Sequence, residues 1–456
     1  MRKITVLLIT IWVAAATYAQ KQFDSSAYVN FNQNRWEKID FSKLMSPSEE
    51  VQEVTAEEKL AGLSKCWAEA KYNFANFDLV PHLNWDSVYQ AYIPKVLGTK
   101  STEEYYNVLR NFYQHLRDGH SAIVMPGFYY NAMNGTLPLE VRWIENKVII
   151  TTNTSTAKGD EVIKPGMELV AYNGMDVQQY IQQHVSPYIS FSTPQDSIER
   201  IYRKTLLPGK AGSEVTLGFK NEKGQLVTHT LKRIQVAQFW NPYPLVVFKV
   251  LKGNIGYLQL NSFNNAKVKE LYDSLFSSIA ATKALIIDVR NNGGGNGGNG
   301  FHILSSLTNE PFYTGKHAIR HYKPVGRSWG GVEKIDVETF SWQPNETKLY
   351  SKPVVVLTSG ATYSAAEDFT ATFKSLKRGQ VFGQPTGGST GQPVFFTLPG
   401  GGAGYVCSKR DLIGNGEEFV GVGIQPDVHV APTLKGIKAG KDEVLDRAMQ
   451  YLQASK

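Results

Sequence analysis

Cysteine is scarce, with two in 456 residues. Cys66 and Cys407 stand far apart, which excludes a disulfide-stapled scaffold; one bridge between them is permitted but not required. Blocks of like charge are also missing. The formal net charge of +7 is spread over lysines and arginines scattered among acids, so a nucleic-acid partner is not expected. Past the N-terminus no apolar run reaches the roughly 20 residues that a spanning helix needs, so no stable membrane insertion is expected. No internal repeat is evident. His317 and His321 lack a Cys, Asp or Glu at metal-ligand spacing, read as surface residues, and leave no metal or other cofactor to expect.

What is present begins with Arg2 and Lys3, an apolar run from Ile4 to Ala16, and the small-residue stretch Thr17-Tyr18-Ala19. This pattern predicts a secretory signal cleaved after Ala19, and hence a periplasmic or extracellular protein. No cysteine follows the run, so lipid attachment there has no support. The remainder, 42% hydrophobic and 12% aromatic over the whole chain, is long enough for two to four domains at roughly 100–200 residues each.

Periodicity divides the chain. After an N-terminal extension over 20–54, apolar residues recur at helical spacing in Leu60, Leu63, Trp67 and Ala70, then in Tyr105, Val108, Leu109 and Phe112, predicting a helical cap over 55–130. The cap closes on Leu116-Arg117-Asp118-Gly119-His120, placing His120 at the junction with a short strand. Residues 137–236 alternate in short runs separated by Gly, Asn and Lys turns, a β-rich module. Its Pro165-Gly166 turn, apolar strand and Asn173-Gly174 turn resemble a PDZ domain, which captures an extended peptide as an added strand; a generic β-sandwich is the alternative. A Pro- and aromatic-rich link, Phe239 to Pro244, leads into a core over 245–432. There a strand, the helical run Val268 to Ala281 and the apolar strand Ala284 to Val289 predict a βαβ unit and a largely parallel sheet. A helix over 433–456 ends the chain.

Ligands of parallel α/β sheets collect beyond the carboxyl ends of the strands. Two loops there are unusual. The first, Arg290 to Gly300, is rich enough in glycine for its N–H groups to converge on an oxygen. Gly295 to Gly300 matches G-x-G-x-x-G, but no acidic residue ends a strand about 20 residues on and no Gly-Lys-Ser/Thr follows, so an oxyanion loop is expected, not a nucleotide site. The second carries Ser364-Ala365-Ala366-Glu367, a helix capping box that also presents a serine hydroxyl at the sheet edge. The Ala365 N–H and the helix dipole lie beside it.

Four stretches carry a family resemblance: Leu116 to His120, Asp288 to Gly295, Thr362 to Glu367 and Gly421 to Asp427. In this order they resemble the C-terminal-processing (tail-specific) serine peptidases, in the tricorn-core and retinoid-binding-protein-like branch. The resemblance implies a crotonase-like (ClpP-like) αβ core, Ser364 as nucleophile, and an oxyanion hole from the backbone of Gly294 and Ala365. One branch uses a lysine base where this chain has Ser389; the tricorn-like branch uses a histidine matching His120. That branch adds a glutamate before the final Gly-x-Gly-Ile, for which Glu418 or Glu417 qualifies, and a serine where this chain has Gly119. Glu367, Ser389 and Arg290 are further supporting residues. The activity implied is exported endopeptidase action near the C-terminal tails of polypeptides through an acyl-enzyme. The alternative is a binding protein for apolar ligands or peptides on the same scaffold.

Overall fold

In Ala284–Asp288 and Val354–Thr358 every residue is buried, as strands covered on both faces require. In the computed structural model they lie side by side within a six-stranded sheet. Its order is Val246–Leu251, Ile255–Leu260, Ala284–Asp288, Val354–Thr358, Gly379–Gly383, Val428–His429, and every pair is parallel except the antiparallel first. Alternation along the strands serves two layers. Leu285, Ile287, Val354 and Val356 pack with helix residues Val268, Tyr272, Ile303, Phe369 and Phe373, whereas Ile286, Val355 and Leu357 pack under Val444, Ala448 and Leu452 of the last helix, Glu443–Ala454. The result is the α/β fold expected.

The structure describes residues 24–27, 29 and 53–454 apart from 222, 237–243 and 332. The expected signal peptide, most of the N-terminal extension and most of the link before the core fall outside these residues. Of two compact units, Met1–Asp40 and Phe41–Lys456, the first is described only at 24–27 and 29, and all that follows concerns the second.

Helices Ala56–Asn73, Trp85–Leu97 and Thr102–Gln114 bury a layer rich in aromatics, including Phe74, Tyr105, Phe112 and Tyr113. Phe396, Val406 and Cys407 complete that cluster from much later in the chain. The strand Ala122–Val124 pairs antiparallel with Ala403–Cys407, so the chain segment just after His120 is tied to the core segment. Cys66 and Cys407 are both buried and both free. Leu139–Ile144, Lys147–Asn153, Glu168–Tyr172, Glu214–Lys220 and Leu226–Lys232 form the sheet of the β-rich module, with Leu139–Ile144 at one edge. The helix Pro194–Ile198, continued by a π-helical turn over Glu199–Thr205, follows within that module.

Register decides where the site forms. Asp288 pairs with Leu357 and Thr358 with Gly383, so the loops after three neighbouring strands leave the sheet at one edge.

Candidate active site

The loop after Val354–Thr358 is held before any side-chain chemistry is considered. Ser359 Oγ donates to the Arg290 carbonyl at 2.6 Å, Thr362 Oγ1 to the Val289 carbonyl at 2.9 Å, and Tyr363 N–H to the Asn292 carbonyl at 3.0 Å. Two loops are thereby laced together. Ser364, which leads into the helix Ala365–Ser375, has φ of 55°, a left-handed conformation that costs a non-glycine residue about 1–3 kcal/mol. Gly294 faces it with φ of 95°, and a Cβ there would lie 2.7 Å from Ser364 Cβ and from the Tyr363 carbonyl oxygen. Only glycine permits that approach.

The half-buried Ser364 hydroxyl lies 3.0 Å from Nε2 of His120, a residue 244 positions earlier. His120 is 8% exposed, and its ring stacks on Tyr363 with centroids 4.9 Å apart and planes 1° from parallel. Burial, helped by the Arg200 and Lys409 charges against the opposing Asp411, holds the His120 pKa down to about 3. The imidazole is therefore neutral across the physiological range. Its Nδ1 lies 2.8 Å from Ser389 Oγ. Tyr363 donates its O–H to the same oxygen at 2.7 Å, and Arg200 Nη2 donates to Tyr363 Oη at 2.7 Å. Arg200 is anchored in turn by Asp196 at 2.6 Å.

Glu367 sits beneath Ser364, wholly buried. It accepts from Thr386 Oγ1 at 2.6 Å, Gly388 N–H at 2.6 Å, Ser389 N–H at 2.9 Å and Ser364 N–H at 3.2 Å. Burial pushes its pKa up to about 8 in spite of the donors from Thr386, Ser389 and Gly388. The expected capping box is thus formed, and the serine hydroxyl also lies within hydrogen-bond reach of His120.

Not every expected residue converges. Glu418 accepts from Arg410 Nη1 at 3.1 Å, in a cluster where Arg410 also binds Asp78 and Asn76; the structure brings Ser389, not Glu418, to the imidazole. The physical reason is that Arg410, a largely buried cation, takes the glutamate as one of its counter-charges. Glu417 accepts from Asn415 in its own turn at 3.2 Å. Arg290 is enclosed by Asp288 and Asp442, with contacts of 2.6 and 2.7 Å, and serves the sheet edge. The Gly294 N–H donates to Asn292 Oδ1 at 2.9 Å, so one of the two expected oxyanion donors is engaged within its own loop. His317 is not a plain surface residue: it is half-buried and bonded to Asp411, which raises the cost of removing it; His321 is exposed, as expected. Sequence reasoning missed Tyr363, Arg200 and Asp196. Tyr363 lies inside the stretch Thr362 to Glu367, but no local pattern marks Arg200.

Residues 254–430 match the family described as Peptidase family S41. A relative named "Probable CtpA-like serine protease" from Staphylococcus aureus is 25% identical over 267 residues, covering 55% of this chain and 51% of its own. The same-named protein of Staphylococcus epidermidis is 24% identical over 245 residues, 52% of this chain and 47% of its own. The chain thus spans about half the length of the curated relatives it matches. Among solved structures, mature CPAF superposes with a TM-score of 0.69 at 16% identity, over 88% of this chain and 98% of that one. The photosystem II D1 C-terminal processing protease gives 0.52 at 19%, over 85% and 98%. The fold is shared with both, and the segment that matches peptidase family S41 carries five of the six strands of the central sheet and the loop that presents Ser364.

Proposed function

We propose that this chain is an exported serine endopeptidase that cleaves polypeptides near exposed C-terminal tails. The observation that carries the reading is the 3.0 Å approach of Ser364 Oγ to a neutral, buried His120 Nε2 at the carboxyl edge of a parallel sheet. Serine is a weak nucleophile until a base takes its proton, and an unprotonated imidazole at hydrogen-bond distance is such a base. Ser364 Oγ attacks the scissile carbonyl as His120 accepts its hydrogen. The imidazolium then protonates the leaving amine, and water resolves the acyl-enzyme by the reverse transfers.

The oxyanion is received by the Ala365 N–H at the helix N-terminus, where the dipole favours negative charge, and by Gly294 once its N–H exchanges Asn292 Oδ1 for the substrate oxygen. The β-rich module supplies the anchor. Leu139–Ile144 is an edge strand beside the helix that begins at Pro194, and a cavity of about 260 Å³ lined by Arg142, Trp143, Gln195 and Tyr202 lies along it. An extended tail added to that edge would pair in the manner of a PDZ ligand.

The reading is tested by intact-mass labelling with a serine-reactive phosphonate. The wild type is expected to gain one adduct, Ser364→Ala none, and His120→Ala one formed at least 10²-fold more slowly, the lower bound of what a positioned base supplies. An adduct that persists in Ser364→Ala refutes the assignment. A wild type that stays unlabelled under native conditions favours the non-catalytic binding protein.

A further inference from the structure

We infer that Ser389 stands where an acid would otherwise hold the catalytic histidine, and that Arg200, acting through Tyr363, holds the Ser389 hydroxyl in place beside the imidazole and so fixes the orientation of the ring. The inference rests on Ser364 and His120 being nucleophile and base.

A guanidinium can only donate, so Tyr363 Oη accepts from Arg200 at 2.7 Å and its own hydrogen goes to Ser389 Oγ at 2.7 Å. Burial raises the Tyr363 pKa well above the ordinary phenol value, so the hydroxyl remains a donor. With one lone pair taken by Tyr363, Ser389 Oγ keeps its second lone pair and its own hydrogen for His120 Nδ1, 2.8 Å away, and accepts from the ring in the productive state. A hydrogen on Nδ1 leaves the lone pair on Nε2, facing Ser364. The reverse arrangement, Ser389 O–H donating to Nδ1, would put the ring hydrogen on Nε2 and leave nothing to accept the serine proton.

Ser389 also fixes the nucleophile. Its N–H donates to Glu367 Oε2 at 2.9 Å and its carbonyl accepts from Ser364 N–H at 3.1 Å, so one residue bridges the backbone of the nucleophile and the ring of the base. Gly119 explains why the chain departs from the family pattern. A Cβ at 119 would lie 2.2 Å from Tyr363 Oη, 2.7 Å from Asp196 Oδ2 and 2.8 Å from Arg200 Nη2, so the volume a serine would fill is taken by this relay. Ser389 is a positioning residue, as are Tyr363 and Arg200; none of them is required to touch substrate.

The test is the pH dependence of the phosphonate inactivation rate. The charges that face or influence His120 are Arg200 with its partner Asp196, and Lys409 and Asp411 with Asp368 beside them; these stay in place in every variant below except as their own pKa values dictate. Ser389→Ala is expected to slow labelling about 10²-fold at neutral pH. Tyr363→Phe keeps the ring stacked on His120 and removes only the hydroxyl; about a tenfold loss is expected, less than a whole general base supplies. Ser389→Asp places a carboxylate at Nδ1 and should move the acid limb of the profile up by about one pH unit or more, which a purely structural role would not do. Wild-type rates in both Ser389→Ala and Tyr363→Phe, or an acid limb unmoved in Ser389→Asp, overturn the inference while leaving Ser364 and His120 as assigned. A wild type without any adduct removes the underlying reading and the inference together.

Discussion

Ser364 occupies a backbone conformation that L-residues avoid, and what holds it there is a set of hydrogen bonds on both sides: Tyr363 N–H to Asn292, Ser364 N–H to Ser389 and Glu367. His120 is the residue with the clearest pH consequence. Its folded pKa of about 3 lies below the ordinary value of 6.5, because burial disfavours the charged ring. The folded state therefore binds fewer protons than the unfolded chain between those two values. The stability associated with His120 is full above about pH 6.5 and is lost progressively as pH falls toward 3. Comparing wild type with His120→Gln, which keeps a polar neutral side chain, should show a shallower acid loss of melting temperature in the variant between pH 6.5 and 4. Identical acid slopes would contradict the depressed pKa. The same depression predicts that labelling of Ser364 stays flat down to about pH 4, well below the limb an ordinary histidine gives.

The helix Ala365–Ser375 carries Ser364 as its N-cap and is positioned from behind by packing. Phe369 and Phe373 are wholly buried, and the Phe369 ring sits 5.7 Å from that of Phe263, which belongs to the segment bonded to Gly294 through its own N–H at 2.9 Å. One cluster thus supports both the serine and the glycine loop. Phe369→Ala is expected to cost about 3–5 kcal/mol in chemical denaturation, as large-to-small changes in a packed core do, and to lower the labelling rate of the folded fraction as well. A normal labelling rate in the folded protein would mean that this cluster does not position the loops. These elements were legible beforehand. The run Val268 to Ala281 predicted a helix found at Lys267–Ala280, and the apolar runs predicted the strands Ala284–Asp288 and Val354–Thr358, because periodicity and burial on both faces are recorded within a few consecutive residues.

Over the molecule as a whole, the site draws on segments near residues 120, 200, 294, 364 and 389, and an ion-pair cluster away from it ties the cap to the later loops. Arg410, 7% exposed, binds Asp78 of the cap region and Glu418 of the C-terminal loops, and donates also to Asn76 Oδ1. Arg410→Ala is expected to lower unfolding free energy by about 1–3 kcal/mol, chiefly by leaving Asn76 and the acids without their donor. The labelling rate per folded molecule should be unchanged, since Arg410 contacts neither Ser364 nor His120. A variant with full stability would show the cluster to be solvated in solution; one with normal stability and lost labelling would tie it to the site.

The positions of Ser364, His120, Gly294 and Ala365 could be read from the chain because each lies in a short motif or at the end of an element, where local spacing and family resemblance both act. The partner of His120 Nδ1 could not. Glu418 had the expected place in the sequence, but a buried Arg410 claims it, and the role falls to Ser389 through Tyr363 and Arg200, residues joined only by the crossing of three loops and a helix. Hydrogen-bond partners of a buried polar atom are chosen by which donors and cations the fold packs around it, and that selection exists only once the sheet, the cap and the β-rich module have come together.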